Sequence, residues 1–182
     1  MYSVPVAWLW ALLSTVGTLA TAVIIYWQAG LLRVQNQVYA IMQLNLAWDS
    51  REMCSLRSAW ADNADDAEAV EPILEFLEEF GALLKRDIFN EELVWDSTLG
   101  WYAVRYYFYS QENKTVGHLR AKWRDPKLYE HIEGLWQNYR KREDAERRGD
   151  EETFEQKLQE TRDSFVADEK ARYARRFPES RH

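Results

Sequence analysis

A single cysteine, Cys54, is all the thiol chemistry these 182 residues contain. It excludes an intramolecular disulfide and any multi-cysteine zinc site, and with no histidine nearby in sequence it reads as a small buried residue rather than a nucleophile. Glycine is scarce at seven residues, and none stands in a phosphate-cradling loop. A Ser-His-Asp signature is missing as well, so nucleotide hydrolysis and acyl transfer have no support. Nothing beyond residue 33 alternates apolar and polar like a strand. Charge of either sign is missing before Arg33.

What is present is 47% apolar and 29% charged, the balance of a folded chain sized for one modest domain and an accessory segment. The net charge of −7 is unevenly spread: residues 61–100 carry twelve acids against two bases, and residues 101–142 nine bases against four acids. An acidic chain is a poor candidate for wrapping duplex nucleic acid; only a local basic surface leaves that partner open.

Val4 to Trp27 is apolar apart from Ser14, Thr15, Thr18 and Thr21. At about 1.5 Å per residue this run is long enough to span a bilayer with some tilt. Tyr2, Trp8 and Trp10 at one end, and Tyr26 and Trp27 at the other, suit interfacial anchoring. Ala20-Thr21-Ala22 imitates a signal-peptide cleavage site, but no basic region precedes the run and it continues through Val23, Ile24 and Ile25, which favours an uncleaved anchor. Arg33, Arg51 and Arg57 follow the span and no Lys or Arg precedes it, so the positive-inside bias predicts a cytoplasmic C-terminal domain at a bacterial inner membrane. Asn113-Lys114-Thr115 matches a glycosylation acceptor that a cytoplasmic domain would not use. Ser14, Gly17, Thr18 and Thr21 share one broad small-residue face, which predicts self-association; a hydroxyl-lined pore is a further step.

The remaining apolar spacing is helical. Val34, Val38 and Ile41 continue the membrane helix as an amphipathic stalk, and a helix follows through Met53, Leu56 and Trp60. Pro72 is expected in a first helical turn before Ile73, Leu77, Phe80 and Leu84. Asn90 reads as the N-cap of one long aromatic helix running to Ser110, which its density of rings makes central. After a short helix over Val116 to Trp123, Asp125 and Pro126 read as N-cap and first residue of the next, putting His131 in its second turn. A charged tail, broken at Gly149-Asp150, carries Phe154, Leu158, Phe165, Tyr173 and Phe177 on a final helix that packs on the bundle or on a partner protein. The predicted architecture is all-α: a membrane helix (1–30), a stalk helix (31–48), an antiparallel helical bundle (49–142) and a charged C-terminal helix (143–182).

The series SREMCSLRSAW, ILEFLEEFGALLKRDIFNEELVWD, YAVRYYFYS and RDPKLYEHIEGLW, spanning Arg51 to Trp136, resembles an uncharacterised bacterial family of small membrane-anchored helical proteins, a domain of unknown function. The resemblance implies a membrane helix ahead of a helical domain and brings no activity with it. A more distant likeness is to CRISPR-associated membrane accessory proteins, in which a membrane helix precedes a HEPN-like domain and chains assemble into a pore.

Arg124 and His131, separated by six residues, fit the loose HEPN ribonuclease pattern. An arginine can hold a phosphate and a histidine can move a proton near neutral pH. Sixteen arginines and three histidines make such a spacing common by chance, and Arg175 and Arg176 also match it with His182. Arg120, Lys122, Arg124 and Lys127, interleaved with Trp123, form a basic cluster suited to an anion, a nucleotide, anionic lipid or the acidic 61–100 segment. Glu75, Glu78 and Glu79 have no His or Asp at ligand spacing and read as a solvated face, so neither metal nor cofactor is expected. Arg105, set among aromatics, needs an aromatic face or a carboxylate, with Glu78 and Glu79 as candidates. The favoured reading is a self-associating membrane-anchored scaffold, sensor or effector without catalysis; the alternatives are a HEPN-like ribonuclease or antiviral defence effector using Arg124 and His131, and an oligomeric pore.

Overall fold

The computed structural model describes residues 6–64, 66–86, 88–89, 91–95, 97–147 and 152–178. Regular structure among the described residues is entirely helical: α1 (Val6–Trp48), α2 (Arg51–Asp62), α3 (Ala67–Lys85), α4 (Glu91–Trp95), α5 (Thr98–Glu112), α6 (Thr115–Trp123), α7 (Glu130–Glu146), α8 (Phe154–Glu160) and α9 (Arg162–Arg176). One long apolar helix thus precedes a helical bundle. The chain divides into two units, Met1–Met42 and Gln43–His182.

In the first unit α1 runs without a break. From Trp10 onward it is long and apolar enough to cross a membrane. Leu12, Leu13, Val16, Leu19 and Val23 are all exposed along it. The hydroxyls of Thr15, Thr18 and Thr21 donate to the carbonyls of Ala11, Ser14 and Gly17, each at 2.9 Å, so these polar groups are satisfied within the helix.

The second unit is built around α5, whose Tyr102, Ala103, Val104, Tyr106, Tyr107 and Tyr109 are buried. Tyr106 packs 4.7 Å from the Trp60 ring of α2 and 5.4 Å from Phe165 of α9, while Trp48 lies 5.1 Å from Tyr102. Each large ring so buried stabilises the unit by roughly 1.5–3 kcal/mol. The tail's Phe165 is thus occupied inside the bundle, with α9 lying along α2. Against α3, α7 approaches so closely that a Cβ on Gly81 would stand 2.9 Å from the His131 carbonyl carbon.

Four boundaries differ from the sequence reading. Asp66 caps α3 by accepting from Glu68 N at 2.9 Å, so Pro72 lies inside the helix instead of in its first turn, and an intrahelical N–H bond is forgone there. The long aromatic helix is two, because Ser97 accepts from Gly100 N at 3.1 Å and donates to Val94 O at 2.7 Å, ending α4 and starting α5; Asn90 lies outside the described residues. Asp125 does not cap α7. Its carboxylate closes a local turn onto Lys127 N at 2.8 Å, Arg124 and Tyr129 take left-handed φ of 55° and 66°, and α7 begins at Glu130, which places His131 in its first turn. The tail is also two helices, interrupted at Thr161, whose hydroxyl donates to Lys157 O at 2.9 Å. The expected break at Gly149-Asp150 lies outside the described residues.

Candidate functional site

His131 is held by α3. Both carboxylate oxygens of Glu78 accept from His131 N at 3.1 Å, one accepts from Ile132 N at 2.9 Å, and the His131 Nδ1 stands 2.5 Å from Glu78 Oε1. Glu78 therefore satisfies backbone donors at the start of α7, where a negative charge is favoured, and fixes the imidazole at the same time. The Nε2 of His131 lies 3.8 Å from Glu130, which is bridged to Lys85 at 3.2 Å. Arg124 stands at the C-terminal end of α6 with its side chain exposed, and no hydrogen bond or ion pair joins it to His131 among the described residues.

The basic cluster splits in two. Arg120 bonds Leu128 O at 2.9 Å and Glu133 at 2.7 Å. Lys122 meets Glu71 at 2.8 Å, and the Trp123 indole N–H donates to the same carboxylate at 2.5 Å. Burial works to raise the Glu71 carboxyl, but the bonds from Lys122 and Trp123 outweigh it and hold the group below its ordinary value. Lys122 thus pairs with the acidic 61–100 segment, and Arg124 and Lys127 remain on the exposed side. Arg105 finds an aromatic face, with its guanidinium 5.2 Å from the centre of the Phe165 ring; the Glu78 region expected as its carboxylate is engaged with α7 instead.

The most buried charges lie elsewhere, between α2 and α9. Arg57 and Glu169 are each 1% exposed, with Arg57 Nε 3.3 Å from Glu169 Oε2. Tyr106 donates to Glu169 at 3.1 Å, Arg172 lies 3.7 Å from it, and Arg57 reaches Cys54 Sγ at 3.1 Å beneath the Trp48 ring. Asp49 reinforces the array, 3.9 Å from Arg57 and 2.9 Å from Arg176. Burial pushes the Glu169 carboxyl above its usual range in spite of Arg57 and Arg172, and pushes the Tyr106 phenol well up. No sequence spacing announces this group, because Arg57 and Glu169, the pair at its centre, stand more than a hundred residues apart; the one available signal was an arginine at a position where α2 turns its apolar face inward.

On α1, Ser14, Gly17, Thr18 and Thr21 are exposed, and a Cβ on Gly17 would meet nothing within 4 Å. A family comparison matches residues 15–139 to DUF4760, a domain of unknown function. The chain belongs to that family. The DUF4760 match begins within α1 and ends at Tyr139 of α7, so Glu78, His131 and Arg57 fall inside it and Glu169 beyond it. No curated protein and no solved structure matches the chain.

Proposed function

We propose that this DUF4760 protein is a single-pass anchor of the bacterial inner membrane whose helical bundle lies in the cytoplasm and works without catalysis, as a scaffold, sensor or effector. The observation that carries the reading is α1: its run from Trp10 is apolar and exposed, and no charged residue interrupts the sequence before Arg33. Basic residues Arg33 and Arg51 follow that run, which supports the cytoplasmic orientation.

Copies associate through the Ser14, Gly17, Thr18 and Thr21 face. Because the threonine hydroxyls already donate to carbonyls of their own helix, the face contributes close van der Waals packing more than hydrogen bonds between helices. The HEPN-like ribonuclease reading draws less support, since Glu78 holds His131 and also serves the α7 backbone, while no hydrogen bond or ion pair among the described residues joins Arg124 to it. The exposed side of α9 is where a partner protein would bind. Light scattering of the full chain in detergent tests the reading. A defined oligomer that becomes monomeric in Thr18→Leu with Thr21→Leu is expected; a wild-type monomer overturns self-association, and recovery of the chain in the soluble fraction of cells overturns the anchor.

A further inference from the structure

A cavity of about 270 Å³ opens beside α5, walled by Trp101, Tyr102 and Phe165 and lined also by Thr98 and Arg105. Arg105 is half-buried, and its Nε is enclosed without a hydrogen-bond acceptor among the described residues. Buried donors are nearly always satisfied, so an enclosed guanidinium nitrogen with no acceptor calls for an explanation. Arg57, Arg120, Arg147 and Arg172, likewise withdrawn from solvent, each sit against a carboxylate. Among the described residues Arg105 has an aromatic ring in place of one. A second guanidinium, that of Arg172, lies 5.3 Å from the centre of Tyr102, so two of the cavity's three rings carry a cation on one face.

We propose that this cavity binds a small aromatic carboxylate, its ring against Trp101, Tyr102 and Phe165 and its carboxylate on Arg105. The chemistry of the lining selects that class. Planar apolar walls favour a ring, and a guanidinium forks onto a carboxylate through paired N–H groups. Sites for drug-sized ligands run to about 300–1,000 Å³, so this volume at the lower edge of that range suits one or two rings and not a nucleotide with its sugar and phosphates. The inference concerns the bundle only and stands whether or not α1 is inserted in a bilayer.

The test uses the full chain in detergent micelles with ¹⁵N-labelled tryptophan. The Trp101 indole N–H resonance, assigned by its loss in Trp101→Phe, is followed during titration with 2-naphthoate and, separately, with uncharged 2-naphthamide; the Trp123 resonance is the reference. A saturable shift of Trp101 with naphthoate is expected, with naphthamide at least tenfold weaker. Arg105→Gln should weaken naphthoate at least tenfold and Arg105→Lys should recover part of the loss. Thr98→Trp, an exposed substitution at the cavity's edge, should block binding without touching the core, and it decides the matter if Arg105→Gln does not fold. No shift of Trp101, equal shifts from acid and amide, or unchanged binding in Thr98→Trp would each overturn the proposal.

Discussion

The α3–α7 joint and the α2–α9 joint each place a carboxylate against a basic side chain, and they do so under opposite conditions. Glu78 is partly open to solvent and accepts from backbone N–H groups as well as lying against the His131 ring. Glu169 is sealed with Arg57, and Arg57 Nε, Arg57 Nη1 and Glu169 Oε1 all lack a hydrogen-bond partner among the described residues. The first arrangement stabilises a helix start at little desolvation cost. The second takes two charges out of water for an attraction that only partly offsets the loss, so it specifies how α9 docks more than it strengthens the docking.

Removing one member of the sealed pair should have the largest effect. Arg57→Met leaves Glu169 without its main counter-charge and should cost about 3–5 kcal/mol in urea unfolding, while the double variant Arg57→Met with Glu169→Leu should recover most of it. If the single and double variants were equally unstable, the joint would be held by packing alone. Gly81→Ala comes next. Its methyl would press on the His131 backbone at 2.9 Å, and a loss of about 1–3 kcal/mol in thermal unfolding is expected from overpacking.

Glu78→Ala should cost about 1–2 kcal/mol, the scale of a lost helix cap, because water can reach the donors it leaves behind. The same comparison has a pH signature. The Glu169 carboxyl is raised by burial, so the folded chain holds its proton where the unfolded chain has released it. The stability contributed by the neutral form is full below the ordinary carboxylate range and is lost as pH rises through the raised value. Wild type should therefore lose stability relative to Glu169→Gln as pH increases across that window, and a flat difference would mean the carboxyl is not raised. The smallest effect, of opposite sign, belongs to Gly134→Ala: a Cβ there meets nothing within 4 Å, so about 0.5–1 kcal/mol of stabilisation is expected by calorimetry.

The architecture was legible because helical periodicity and a long uncharged run are local signals. Val34, Ile73, Leu77 and Phe80 declare their faces within two turns of chain. Helix ends were less so. Asp125 before Pro126 looks like a cap, and nothing in its immediate sequence reveals that Tyr129, buried against other elements, adopts a left-handed conformation and delays α7. Arg105 among aromatics was readable as a residue needing a ring or a carboxylate, and the ring it found, Phe165, lies sixty residues away. The Arg57–Glu169 pair was illegible for the same reason, since ion pairs between distant helices exist only once the chain is folded.

The chain's one thiol is 1% exposed and takes a hydrogen bond from Arg57, whose guanidinium also meets Glu169 of α9. A thiol reagent can modify it only during moments when the packing around α2 is parted, so the rate of modification is a clock. With no second cysteine to blur the signal, the sequence carries its own stopwatch for the opening of the bundle at α2.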